Sequence, residues 1–360
     1  MRVVSVVGAR PQFVKLAPVA HAMAVAGVEH VIIHTGQHYD PMLSDVFFTD
    51  LGIPAPDVHL GVGSGGHGAQ TGAMLAALDE ALPPLSADWV LVYGDTNSTL
   101  AAALAAVKLH IPVAHLEAGL RSFNRAMPEE INRVLTDHAA DLLLTPTAVG
   151  AEHLAAEGLA SSTVVVGDVM TDVLLQVRDR VSGSPSPVME ELSLAEGSYS
   201  LATIHRAENT DAAERLKSVL DSLARVDHPV VILAHPRLVA KCAEHGLALE
   251  SRGSLLIHPP LAYPDLIASA LHARGVITDS GGLQKEAFLL RVPCTTVRPQ
   301  TEWVETVELG WNRLVEPGEA LVEAASRPRP AEPPQADAHP YGDGHAAERV
   351  VAELTAHLPG

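Results

Sequence analysis

The sequence predicts an α/β protein made of two doubly wound parallel sheets, one per domain, facing each other across a ligand cleft. Three observations predict it. Short Val/Ile/Leu runs alternate with longer Ala-rich amphipathic stretches, the pattern of parallel strands returned by crossover helices. At 360 residues the chain is too long for one ordinary core. After Asp168 the alternation begins afresh.

Composition narrows the class. With 47% apolar but only 4% aromatic residues, the cores must be filled by Ala, Val and Leu, as where helices cover parallel strands. Acids outnumber bases 43 to 24, a formal charge of −19, which argues against nucleic acid or a membrane surface as partner. A small anionic ligand is compatible, because a few local Arg residues suffice. Cys242 and Cys294 form no CxxC pair and read as thiols in a reducing compartment. MRVVSVVGARPQ reads as a first strand rather than a leader, and no run approaches membrane-spanning length, so the expected location is the cytoplasm.

The elements follow in order. Predicted strands of the first domain are VVSVV at 3–7, HVIIHT at 30–35, WVLVY at 89–93, PVAHL at 112–116, DLLLT at 141–145 and TVVVG at 163–167. The second domain restarts with SLATI at 200–204, PVVILA at 229–234, SLLIH at 254–258, GVIT at 275–278 and PCTTV at 293–297. The boundaries expected are 1–167 and 168–344, with a last helix over 345–358 returning to the first domain. SGSPSP at 182–187 and the Pro-rich 328–344 read as loops.

The strand-to-helix junctions carry the candidate chemistry, since ligands of such sheets bind beyond the strands' C-terminal ends. TDSGGLQKEA, 278–287, ends a strand with Asp279 and Ser280 and opens a helix with Gly281 and Gly282, which let backbone amides approach an anion such as a diphosphate. Glu286 then leans back toward the helix start, suited to a ribose. The first junction, VVGARPQ, has only Gly8, so the G-x-G-x-x-G turn of a tightly held NAD is missing. Arg10 and Lys15 put two cations at that end of the helix, with Pro11 in its first turn. The literal match at Gly61, Gly63 and Gly66 follows a weak strand and reads as a loop.

Three acids stand at informative places: Asp95 after WVLVYG, Glu117 after PVAHL, and Glu129 in MPEEINR beside Glu130. Carboxylates in a partly dry cleft suit acid–base work. Taken singly, capping explains Asp95, and ion pairs with Arg121 or Arg133 explain the glutamates. Three together at strand or loop ends point to chemistry. His205, closing a strand in IHRAEN, is placed to donate to a phosphate or sugar oxygen. His34 and His38 have metal-ligand spacing, but no acid or cysteine cluster completes a set, so no metal is expected.

GARPQFVKLAPV, TGQHYDPML, YGDTNSTLAAALAA, HLEAGLRS, PEEINRVLTDHAADLLLTPT, HRAEN, TDSGGLQKEA and TEWVETVELGWN, in this order from residue 1 to about 315, resemble the non-hydrolysing UDP-N-acetylglucosamine 2-epimerases. The resemblance implies the glycosyltransferase B fold, a homodimer, and reversible inversion at carbon 2 of a UDP-N-acetylhexosamine with no NAD and no metal. It implies anti elimination of UDP to a 2-acetamidoglucal and its re-addition with a proton on the other face. By motif, Arg10, His205, Ser280, Gly281, Gly282 and Glu286 match UDP-binding positions, while Asp95, Glu117 and Glu129 match acid–base positions with Arg133 beside them.

Two departures bear on the expectation. Ala69 stands where many bacterial members have the Arg of a second, activating UDP-N-acetylglucosamine site, which argues against such activation. TEWVE at 301–305, after Arg298, also resembles relatives acting on UDP-2,3-diacetamido-glucuronate. A glycosyltransferase would share the SGG-type phosphate helix and the ribose-binding Glu but need not keep three acids. A hydrolysing epimerase would release UDP irreversibly, and a non-catalytic sugar-nucleotide sensor would tolerate loss of Asp95 or Glu117.

Overall fold

Val3, Val4, Val6 and Val7 are all fully buried, so the first strand, β1 (Arg2–Val7), is apolar on both faces and must be covered on both. Val3 and Val7 join Phe13, Leu16 and Met23 on one side, while Val4 and Val6 join Met74, Leu78 and the buried alanines 101–106 on the other. This is the two-residue alternation of a strand expressed as two cores. The structure is a computed structural model and describes residues 1–37, 54–329 and 339–358; His38 and residues 330–338 of the Pro-rich stretch lie outside the described residues, as does the side chain of Arg10.

The chain divides into two units, Met1–Val173 with His339–Gly360, and Leu174–Ala338. In the first unit, β1, β2 (Glu29–His34), β3 (Val58–His59), β4 (Trp89–Tyr93), β5 (Val113–Leu116), β6 (Leu142–Thr145) and β7 (Thr163–Val165) make a sheet of order β3-β2-β1-β4-β5-β6-β7. Every pairing in it is parallel. Helices Arg10–Val25 and Ala346–Ala356 cover one face, and His67–Ala81 and Asn97–Lys108 the other. The helix Ala346–Ala356 is tied in at both ends. Asp172 accepts bonds from the Ala346 and Ala347 amides at 3.1 and 2.7 Å, and Trp89 Nε1 donates to the Leu354 carbonyl at 3.0 Å.

The second unit repeats the plan with β8 (Ser200–Thr203), β9 (Val230–Leu233), β10 (Leu255–His258), β11 (Gly275–Thr278), β12 (Cys294–Thr296) and β13 (Asn312–Leu314) in the order β10-β9-β8-β11-β12-β13. All its pairings are parallel too. Its core gathers Ile204, Leu216, Leu220, Ile232, Leu238 and Ile277 with Val297 and Leu321. Two doubly wound parallel sheets are therefore present, as the alternating pattern predicts. The short edge strands β3 and β13 were not predicted: each is only two or three residues long and carries polar residues, so neither forms an apolar run. Each sheet reverses its winding once, between β1 and β4 and between β8 and β11, and these are the switch points at which such sheets bind ligands.

Candidate active site

At the first switch point, Gln12 knits the turns together. Its Oε1 accepts from the Gly8 and Ala9 amides at 2.8 and 3.0 Å, and its Nε2 donates to the Tyr93 carbonyl and Thr99 Oγ1. Gly8 is glycine for a steric reason: a Cβ there would fall on the Thr35 and Ser98 hydroxyls. The sequence supplied no periodic signal for Gln12.

Lys15, on the helix Arg10–Val25, ion-pairs with Glu117 just beyond β5. Their side chains are only 14% and 16% exposed, so the pair is worth more than an open surface contact. Burial works against the Lys15 ammonium, but Glu117, with Asp95 and Asp168 behind it, outweighs that and raises the amine above its ordinary value. Glu117 has φ +75°, a left-handed conformation that costs a non-glycine residue and points to a functional constraint. Gly94, at φ +61°, leaves the space: a Cβ there would lie 3.0 Å from Glu117 Oε2 and 3.3 Å from Lys15 Nζ.

Asp95 receives Arg133 Nη2 at 2.6 Å. It does not cap the following helix. Thr96 is the N-cap of Asn97–Lys108, its hydroxyl accepting from the Thr99 amide. Glu129 and Glu130 occupy the first turn of the helix Pro128–Ala139, whose positive end suits acids. Glu129 is exposed, and its side chain makes no hydrogen bond or ion pair among the described residues. Glu130 is buried instead, accepting from the Ser122 and Phe123 amides, the Ser122 hydroxyl and Arg133. Burial pushes its carboxyl up, but these donors outweigh that and hold it below the ordinary range. Asn132 donates to the Asp95 carbonyl and to Asn97. Gln70, beside Ala69, accepts from Asn97 and donates to the Gly63 carbonyl.

At the second switch point, Asp279 corrects an expectation. It is fully buried rather than presented to a ligand, because its carboxylate accepts from the His205 and Arg206 amides and from Asn209 Nδ2. It thereby ties the turn after β8 to the turn after β11. His205 Nδ1 lies 3.5 Å from Asp279 Oδ1, and its ring lies against His235, tilted by 30° with centroids 4.9 Å apart. Burial, and then His235, Arg206 and Arg237, lower the imidazole below its ordinary value against the pull of Asp279.

Ser280 caps the helix Gly281–Leu289, its hydroxyl accepting from the Leu283 amide. A Cβ at Gly281 would sit 3.6 to 3.7 Å from Arg206 Nη2, Glu302 Oε2 and Trp303 Nε1, so a cation, a carboxylate and an indole N–H converge on the helix start, while Gly282 is exposed. Lys285 Nζ stands 4.5 Å over the Trp303 ring, and Arg298 bonds Glu302 at 2.9 Å. Glu286 is half-buried and accepts from the Tyr263 hydroxyl at 2.9 Å. Burial raises its carboxyl above the ordinary value, with Tyr263 and Lys285 pulling the other way. Arg206, Trp303 and Tyr263 were not singled out from the sequence; the last is 23 positions from its partner and follows no motif spacing.

Among the described residues, no group of three or more His, Cys, Asp or Glu side chains is arranged to hold a metal ion. None of the described helices is long and apolar enough to cross a membrane.

Two doubly wound sheets in one chain, each with an acid- and cation-bearing junction at its point of reversal, define the glycosyltransferase-B-like class of α/β proteins. Within that class the chain belongs to the UDP-N-acetylglucosamine 2-epimerase family, whose model matches residues 21–355. It is 44% identical over 357 residues to a "UDP-N-acetylglucosamine 2-epimerase homolog" of Methanococcus maripaludis, covering 98% of this chain and 99% of the relative. It is also 44% identical over 361 residues to the UDP-2,3-diacetamido-2,3-dideoxy-D-glucuronate 2-epimerase of Pseudomonas aeruginosa, with 98% and 99% coverage. Among solved structures it resembles the Methanocaldococcus jannaschii UDP-GlcNAc 2-epimerase in complex with UDP-GlcNAc and UDP, with TM-score 0.81, 39% identity, and coverage of 99% and 100%.

Proposed function

We propose that this protein interconverts UDP-N-acetylglucosamine and UDP-N-acetylmannosamine without hydrolysing them. The observation that carries the reading is the pairing of Lys15 with Glu117 and of Arg133 with Asp95 beyond neighbouring parallel strands, in a family of carbon-2 epimerases. In the reaction a carboxylate takes the carbon-2 proton, the carbon-1 to oxygen bond breaks, and UDP departs from a 2-acetamidoglucal. UDP then re-adds at carbon 1 while a proton is delivered to the opposite face of carbon 2. Proton traffic on two faces calls for more than one acid, the role assigned to Asp95, Glu117 and Glu129.

UDP is assigned to the second unit. The amides and positive end of the helix Gly281–Leu289 suit the diphosphate, with Arg206 beside them. Glu286 has a second carboxylate oxygen for the ribose hydroxyls. His205 stabilises the charge that grows on the leaving diphosphate. The unit of action is a homodimer in the cytoplasm.

A second reading, UDP-2,3-diacetamido-glucuronate as substrate, is favoured by the 44% identity to the Pseudomonas aeruginosa enzyme. Incubation of the purified protein with each nucleotide sugar, without added cofactor, followed by chromatographic separation of the epimers, tests both. Conversion of the N-acetylglucosamine nucleotide supports the first reading, and conversion of the diacetamido-glucuronate nucleotide alone the second. Free UDP accumulating with a reducing sugar would overturn reversible epimerisation.

A further inference from the structure

His115 opens the string HLEAGLRS and Asp137 lies in PEEINRVLTDHAADLLLTPT; neither has a role toward substrate above, yet they lie between the two turns that carry Asp95 and Glu117. Both side chains are fully buried. His115 projects from β5 and makes two short contacts: Nδ1 to Asp137 Oδ1 at 2.6 Å and Nε2 to the Gly94 carbonyl at 2.7 Å. A carboxylate faces one ring nitrogen and a carbonyl the other, and both are acceptors. The ring is thus held at both of its nitrogens.

The other oxygen of Asp137 accepts from the Gly119 amide at 3.2 Å and from Arg121 Nη1 at 2.7 Å, and Arg121 in turn pairs with Glu157. Arg121 thus joins the two carboxylates. Burial pushes the Asp137 carboxyl up, but His115 and Arg121 outweigh it and hold the group below its ordinary value. Gly94 is held at both ends, its carbonyl by His115 and its amide by the Leu116 carbonyl. Gly94, Glu117 and Gly119 all have positive φ, so the two turns are kinked and are fixed largely by these bonds.

We propose that His115, held between Asp137 and the Gly94 carbonyl, is a positioning residue that sets the spacing of Asp95 and Glu117. The inference deepens the epimerase reading and rests on it for its kinetic consequence. Loss of the bridge releases Gly94, the residue before Asp95, while Ser280, Gly281, Gly282 and Glu286 lie in the other unit and keep their geometry.

The test is His115→Gln, assayed beside wild type with UDP-N-acetylglucosamine for turnover and for exchange of the carbon-2 hydrogen in deuterated water. The expected result is a fall in kcat and in exchange of about 100-fold, the size that a displacement of about 1 Å produces, with KM within twofold. An unchanged kcat, or a raised KM with kcat intact, overturns the proposal. Wild-type turnover in the same assay decides the epimerase reading separately. Should the variant not fold, Asp137→Asn, which keeps the side chain's size and alters the other end of the bridge, is assayed in the same way: a fall in kcat with KM within twofold is expected, and an unchanged kcat overturns the proposal.

Discussion

Glu117 combines three features that rarely coincide without a functional reason: a left-handed backbone, a half-buried carboxylate and a cation in contact. Its room comes from Gly94. Gly94→Ala must hold an L residue at φ +61° and bring a methyl to 3.0 Å from the carboxylate. The expected cost is roughly 1–2 kcal/mol of stability, read by urea denaturation, together with a clear loss of turnover. Glu286 gives a pH signature. Its carboxyl is raised in the folded protein, so between the ordinary value and the raised one the folded state holds a proton that the unfolded chain has released. Stability therefore falls as pH rises through that window, and Glu286→Gln removes the slope. Melting temperatures of the two proteins across mildly acidic pH should diverge as pH rises, with wild type losing ground; parallel curves would contradict the assignment. The acids at strand ends were legible because each follows an apolar run directly. Arg133 was legible as a cation beside the acids, but its pairing with Asp95, like that of Tyr263 with Glu286, is made by the fold.

At the scale of elements, GVIT followed by DSGG could be read as strand, stop and helix start because burial, capping and glycine all point the same way there. The role of Asp279 could not be read the same way. Its burial depends on the amides of the turn after β8, which reach it only once β8 and β11 pair. Asn312–Leu314 gave no strand signal, since Asn and Arg interrupt it and only its pairing with β12 defines it. Ser280→Ala removes the cap of the helix assigned to the diphosphate. It should cost about 1 kcal/mol, measured by denaturant titration, and weaken UDP binding measured by calorimetry. Lost stability with unchanged UDP affinity would separate the cap from the ligand.

At the scale of the molecule, two sheets with separate cores divide the work assigned to them. Hydrogen exchange with and without saturating UDP should show new protection around β8, β11 and the helix Gly281–Leu289; protection confined to the first unit would reverse the assignment of the nucleotide. The chemistry itself is a single claim: a proton leaves and returns at carbon 2 with no other cofactor. The measurement that tests it most directly is proton NMR of UDP-N-acetylglucosamine with the purified protein in deuterated water. The account predicts the manno epimer with deuterium at carbon 2 in both epimers at equilibrium. Epimer that keeps its original hydrogen, or free UDP building up with a reducing sugar, would contradict it.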